Sequence, residues 1–352
     1  MADFLTTYRM KILPLTAMHI GTGEVVNPGE YFVFGQTAYF VDLGAINWTP
    51  KFRDRLLLMM NTPCWVKEIQ QVNGFQQIIE KHARFAVELG DDATDITEKW
   101  GQGTTALAVA LLPRAITGPY IPGSSIKGAL RTALIAQAFN SANPPPINNE
   151  RKIPDWERMT MGGTEVFDRS GHSRDYPIES DPLRNLRVSD ATAGTTIHTE
   201  IHRVAREGMK TGGDAADLQD YRECFPGAFF IEQQYDITGS LTIGMFPGKP
   251  ANPLLTREVI LASCNHFYLR ALKADYHYWQ AKGHEIAELC EDIRKDAEEH
   301  ADQSALIRLG WGSGREAMSL NQLRPEPLPT KTRALVGGYT AGWALLSLED
   351  IH

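Results

Sequence analysis

Two stretches of the 352-residue chain combine glycine with basic residues in a way that suits a phosphate. In Arg308-Leu-Gly-Trp-Gly-Ser-Gly-Arg315, the alternating Gly310, Gly312 and Gly314 can adopt φ > 0 and turn backbone N–H groups toward an anion. Arg308 and Arg315 flank the loop, Trp311 stands inside it, and guanidiniums supply forked donors for phosphate oxygens. The alternative reading is a tight turn with incidental arginines. The third glycine is misplaced for a dinucleotide fingerprint, and no Gly-Lys-Ser/Thr follows for a P-loop. In Gly123-Ser-Ser-Ile-Lys-Gly-Ala-Leu-Arg131, Ser124 or Ser125 can cap a helix whose first-turn N–H groups and dipole favour an anion. Lys127 and Arg131 stand four apart, on one face opposite the apolar stripe. A capped amphipathic helix with a solvated basic face is the plainer alternative.

His19 precedes Gly21 and Gly23 at the end of a predicted strand, where its ring can stack on a base or donate to a phosphate. The plainer reading is a structural histidine, since no partner that would orient a catalytic base stands nearby. His198 and His202 are four apart, which on a helix suggests a metal pair; the β-branched surroundings predict a strand instead, and the Glu of His-Glu-x-x-His is missing. Without a third ligand, no metal and no other cofactor is expected. Arg184, Arg187, Arg203, Arg206 and Lys210 outnumber Asp190, Glu200 and Glu207. They predict a hairpin finger whose basic edge can lie along a nucleic-acid strand, or else an edge strand guarded by charge. No Gly-x-Ser-x-Gly elbow and no Asp-x-Asp cluster with a cofactor motif occurs, so no catalytic constellation can be placed.

The elements that must hold these groups follow from periodicity. Tyr8–Met18 alternates apolar and polar residues and runs into the glycine turn, which predicts a strand. Tyr31–Val41 predicts a hairpin turning at Gly35-Gln36. From Ala45 to about Trp100 the pattern is helical, with apolar clusters at Leu56–Met60 and at Ile78, Ile79, Phe85 and Val87. Ile126, Leu130, Ala133, Leu134 and Ala138 fall on one face of a helix. Pro144-Pro-Pro146 stops it, and a surface loop is expected as far as Gly163. Leu186–Ser189 and Thr195–Ala205 predict strands, Glu207–Asp214 a flexible tip, and Ala228–Met245 a strand pair around Gly239. Two helices fit Thr256–Lys282 and His284–Asp302. Strands and helices interleave without the regular beat of a parallel sheet, so the expected class is α+β.

The net charge of −8 argues at first sight against nucleic acid as a partner. Its distribution changes that inference. Eight acids lie within 285–302 and five within 88–98, so the acidity marks two segments to be turned away from any nucleic acid or toward a basic partner. Cys64, Cys224, Cys264 and Cys290 form no C-x-x-C pair, and reduced thiols are expected. Asp3 precedes Phe4 and Leu5, with Arg9 and Lys11 after them, the wrong order for a signal peptide. The longest uncharged apolar run, Thr104–Leu112, is nine residues, about half a membrane span. A cytoplasmic protein without membrane contact is expected.

Taken together, the strand ending in His19-Ile-Gly-Thr-Gly23, the segment Tyr120-Ile-Pro-Gly-Ser-Ser-Ile-Lys-Gly-Ala-Leu-Arg131 and the loop Arg308-Leu-Gly-Trp-Gly-Ser-Gly314 resemble the RAMP proteins of CRISPR effector complexes. The middle segment is the most specific. Within that family, Leu186-Arg-Val-Ser-Asp190, Asp220-Tyr-Arg-Glu-Cys-Phe-Pro-Gly227 and Lys331-Thr-Arg333 look like the subunit that caps the type III-A (Csm) complex at the guide RNA's 3′ side. The resemblance leaves residues 45–105 and 140–180 uncovered.

This likeness implies a ferredoxin-like (RRM-like) core with a helical insertion, a β-hairpin finger and C-terminal helices. Core would be 1–44, 106–140, 184–255 and 303–352, with a mainly helical insert at 45–105, a surface loop at 141–183 and a helical segment at 256–302. The implied partners are guide RNA (crRNA), target RNA by way of the guide, and adjacent RAMP backbone subunits. By position, Gly123, Ser124, Ser125, Lys127 and Arg131 would contact the guide, with Gly310, Gly312, Gly314 and Arg315 in the same groove and His19 beside them. Backbone subunits that cut target carry an aspartate between the first strand and the Gly-Ser-Ser helix. Here Asp42, Asp54, Asp91, Asp92 and Asp95 lie in that interval without a matching context, so cleavage is not implied. The resemblance implies a non-catalytic guide-binding subunit acting in crRNA maturation and antiviral defence. The rival is an endoribonuclease acting on crRNA precursor or target with His19 or one of those aspartates.

Overall fold

The computed structural model describes residues 5–62, 65–98, 107–139, 153–162, 181–193, 198–208, 220–231, 235–244, 255–318, 320–323 and 332–351. Its architecture is α+β, built on two sheets. The first is antiparallel, in the order Ser304–Arg308, Trp343–Asp350, Leu5–Pro14, Ile237–Gly244, Ala191–Thr192, Gly118–Ile121 and Arg114–Ala115, with Leu186–Val188 also paired to Ile237–Gly244. Alternation along the central strand explains its seat. Met10 and Ile12 are fully buried on one face while Arg9 stays exposed. That inner face is covered by the helices Gly123–Ala138 and Arg257–Gln280, which are joined where Tyr268 Oη donates to Ala129 O at 3.2 Å. The helix Ile286–Glu299 packs outside the latter.

The second sheet runs Val25–Val26, Val109–Ala110, Asp220–Cys224, Glu200–Gly208, Phe85–Leu89, Thr37–Phe40 and Tyr31–Phe34, and is of mixed direction. Thr332–Val336 adds to Glu200–Gly208 and pairs in turn with Tyr339–Thr340. Three short helices, Pro50–Met59, Trp65–Gln70 and Phe75–His82, contribute to a separate aromatic core here. Phe75 meets Phe32 edge-on at 5.0 Å and stacks on Trp48 at 6.2 Å. Burying a ring of this size is worth about 1.5–3 kcal/mol.

The expected hairpin at Gly35-Gln36 and the helices beginning near Gly123, Thr256 and Ile286 all form. Three expectations change. Phe85 and Val87 lie on a strand, because Phe85–Leu89 completes the sheet beside Thr37–Phe40. Gly239 is no turn; it sits mid-strand opposite Met10. Within the stretch expected to be surface loop, Ile153–Thr160 is helical and buries Trp156 against Phe139. No helix among the described residues is long and apolar enough to cross a membrane. Cys224, Cys264 and Cys290 are buried free thiols, and Cys64 lies outside the described residues.

Candidate nucleic-acid interface

The segment after the first strand, Leu15–Gly23, is where separated motifs meet. Trp311 N–H donates to His19 O (2.8 Å), Met18 and Phe225 exchange backbone bonds (2.9 Å each), and Gly342 N–H donates to Ala17 O (2.9 Å). His19–Gly23, Asp220–Gly227 and Arg308–Gly314 thus form one junction from three distant parts of the chain. Gly310 makes the closeness possible, since it has φ 79° and a Cβ there would collide with His19 O. The N–H groups of Leu309, Trp311 and Ser313 go to Gly342 O, His19 O and Gly310 O, so the loop is first of all a close-packed turn. Gly312 is half-buried; Gly21, Gly23, Gly314 and Arg315 are exposed. Trp311 lies half-buried beneath the Arg222 guanidinium, 4.3 Å from its ring.

Two residues expected at this surface are inside. His19 is fully buried, and its Nδ1–H donates to Glu223 O at 2.7 Å. Burial drives its pKa down to about 4 against the pull of that hydrogen bond, so the ring is neutral and does not face a base. Arg308 is buried as well. Its Nη1 reaches Asp275 Oδ2 (2.7 Å), Nη2 reaches Thr340 Oγ1 (2.9 Å) and Nε reaches Ala341 O (3.0 Å). Arg333 meets the other Asp275 oxygen at 2.6 Å. Arg308 therefore props the glycine loop from beneath, because a guanidinium out of water needs its donors filled.

The second predicted cluster is also occupied from within. Neither Ser124 nor Ser125 caps the Gly123–Ala138 helix. Pro122 is the N-cap, and Asp190 Oδ1 accepts from Gly123 N–H at 2.7 Å, so the helix terminus already has its carboxylate. Gly123 is buried where a Cβ would strike Val188 O. Lys127 Nζ donates to Leu186 O (2.7 Å), and Arg131 pairs with Glu157 (3.0 Å) and Asp181 (3.2 Å). The basic face expected to be solvated thus binds the chain's own carbonyl and carboxylates, while Ser124 stays exposed and Ser125 half-buried. The short helix Gly314–Met318 packs against the Gly123–Ala138 helix and brings the two glycine segments alongside.

Glu200–Gly208, expected as the basic edge of a finger or a guarded edge strand, is interior. Three strands flank it, and Ile201 and Val204 are buried. Arg187 and Arg206 are exposed and Arg203 is half-buried. Lys210 and most of the expected tip lie outside the described residues. His202 stands on this strand between Asp92 Oδ1 (2.8 Å) and Glu200 Oε2 (3.0 Å), apart from the exposed His198. Asp95 accepts from Tyr221 Oη at 3.0 Å. Among the described residues no group of three His, Cys, Asp or Glu is placed to hold a metal.

Sequence reasoning passed over two buried acids that organise the site. Glu223 is fully buried, accepts from Leu112 N–H (3.1 Å) and Thr199 Oγ1 (2.5 Å), and pairs with Arg114. Burial pushes its carboxyl up, against the attraction of Arg114. A signal was present, because Glu223 falls between Tyr221 and Phe225 on the period-two buried face. Asp275 likewise sits on the apolar stripe of its helix with Leu272 and Trp279.

The strand-and-helix framework and its glycine junction belong to a known class. The RAMP superfamily model matches residues 11–315, including stretches the motifs alone left uncovered, and the chain belongs to that superfamily. The chain is similar to the CRISPR system Cms protein Csm5 of Mycobacterium tuberculosis (strain ATCC 25618 / H37Rv), at 24% identity over 251 residues, covering 64% of this chain and 65% of that protein. With the Streptococcus thermophilus protein of the same name it shares 24% identity over 195 residues, covering 53% of this chain and 51% of that one. These matches span about half to two thirds of the relatives' length. A chain in the cryo-EM structure of a type III-A Csm–crRNA–target RNA ternary complex superposes with TM-score 0.59 and 18% identity, over 97% of this chain and 100% of that one. The crystal structure of T. onnurineus Csm5 gives TM-score 0.59 at 17% identity, over 95% and 99%. These structural likenesses are likenesses of fold.

Proposed function

We propose that this protein is a non-catalytic, guide-RNA-binding subunit of a type III-A CRISPR interference complex. It caps the filament of RAMP backbone subunits at the guide's 3′ side and influences guide maturation. The observation that carries the reading is the convergence of the family's separated motifs, His19–Gly23, Asp220–Gly227 and Arg308–Gly314, at one junction. The similarity to Csm5 proteins supports the choice of complex. The strand order Trp343–Asp350, Leu5–Pro14, Ile237–Gly244, Ala191–Thr192, all antiparallel, supports a ferredoxin-like core. RNA would cross the exposed parts of the junction, Gly21, Gly23, Gly314 and Arg315, with Ser124 and Arg187 as further contacts. Such contacts go to the sugar-phosphate backbone, and sequence is read by base pairing of the guide. The burial of His19 and the engagement of Asp92 and Asp95 weigh against an endoribonuclease built on those groups.

The test is to purify the complex from cells with and without this chain and to size the guide RNA. The expected outcome is guides of altered length and 3′ end when the chain is missing. Guides of unchanged length and terminus would refute the proposal.

A further inference from the structure

Among the described residues only two Phe, Tyr or Trp side chains are exposed, and they are neighbours: Phe229 (40%) and Phe230 (47%). They follow Pro226-Gly227, where Ala228 N–H donates to Pro14 O (2.8 Å) and Phe229 N–H to Leu15 O (3.3 Å). The turn is thereby fixed to the end of the first strand. The Phe230 ring lies 4.7 Å from that of Tyr339, inclined by 39°. Tyr339 stands at the tip of a hairpin that Gly337 N–H ties to Arg203 O at 3.1 Å. Leu15 opens the segment whose His19 carbonyl holds Trp311, so the aromatic step and the glycine junction share one continuous stretch of chain.

Rings anchored by backbone bonds on two sides present a preorganised apolar surface to water. Every nucleobase has a π-face, and exposed aromatic rings near guanidiniums are how single strands are held without sequence preference. Continuity with the glycine junction through Pro14, Leu15 and His19 favours the RNA that crosses it over an apolar protein surface. Arg222 lies over Trp311, and Arg203 and the exposed Arg206 belong to the strand paired with the Tyr339 hairpin. We infer that Phe229, Phe230 and Tyr339 form a stacking step for an unpaired base of single-stranded RNA. The inference rests on the RNA-binding reading above and adds to it a contact with a base, where the glycine motifs offer contacts to backbone.

The experiment compares binding of the purified full chain to two labelled strands of about twelve nucleotides, one oligouridine and one with abasic riboses. The unaltered protein binds oligouridine more tightly. The double variant Phe229→Ala/Phe230→Ala loses about tenfold in affinity for oligouridine, the order expected for one stacked base, and keeps its affinity for the abasic strand. Phe230→Tyr retains the oligouridine affinity. Thermal unfolding of each variant checks that the exposed substitutions leave the fold intact. Equal oligouridine affinity in the double variant and the unaltered chain overturns the step and leaves RNA binding standing. Failure of the unaltered chain to bind either strand overturns both. A double variant with full RNA affinity that no longer joins the complex also overturns the step, and assigns the patch to a protein neighbour.

Discussion

At the scale of single residues, His202 shows how a half-buried pair of carboxylates sets a charge. Burial opposes the imidazolium, but the hydrogen bonds and attraction of Asp92 and Glu200 outweigh it and lift the pKa from 6.5 to about 9. The folded chain therefore binds this proton more tightly than the unfolded one. Its stabilisation is complete below pH 6.5 and is lost as pH rises through about 9, an effect of about 3 kcal/mol at most. Unfolding midpoints measured from pH 6 to pH 10 should fall further for the unaltered chain than for His202→Gln, and parallel profiles would remove His202 from this role. His19 has the opposite sign, being neutral when folded, and its contribution is lost on acidification between pH 6.5 and about 4. Both histidines were visible in the sequence as candidates. Their environments were not, because Asp92 lies 110 residues from His202 and Glu223 lies 204 from His19.

At the scale of elements, the Gly123–Ala138 helix was legible from its apolar spacing, and its burial agrees: Ile126, Leu130, Ala133 and Leu134 are all fully buried. Its capping was not legible. Ser124 and Ser125 stand where caps often stand, yet the acceptor is Asp190, supplied by the loop after Leu186–Val188. Asp190→Ala should cost about 1 kcal/mol in urea unfolding, the usual loss for a helix cap. Ser124→Ala should stay within about 0.5 kcal/mol. The reverse ranking would restore the serine as the cap. Phe85–Leu89 was misread because a short apolar run has no decisive period; only its pairing with Thr37–Phe40 makes it a strand.

At the scale of the whole molecule, two buried ionic groups pin the sheets together. Arg308 from the first sheet and Arg333 from the second share Asp275, and Arg114 from the first pairs with Glu223 from the second. Removing Asp275 leaves two guanidiniums buried without their carboxylate. Asp275→Ala should therefore destabilise the fold by about 3–5 kcal/mol, read from the shift in urea midpoint. A loss below about 1 kcal/mol would show that the Asp275 group does not pin the sheets. The acidic helix Ile286–Glu299 lies on the outside, with Glu291 and Asp292 paired to Arg294 and Lys295 of its own turns. The negative charge that first argued against RNA is thus carried in part by an outer helix rather than by the junction.

By itself the sequence determined the α+β class, the long helices, the first strand and the glycine segments, since each follows from local period or backbone freedom. It also carried the family resemblance, which rests on the same segments. Only the tertiary structure decided which cations face solvent. Lys127, Arg131 and Arg308 look alike in sequence to Arg187 and Arg206, but the first three find carbonyl or carboxylate partners brought from distant segments. A charged side chain leaves water only when such partners fill its donors, and those partners exist only once the chain has folded.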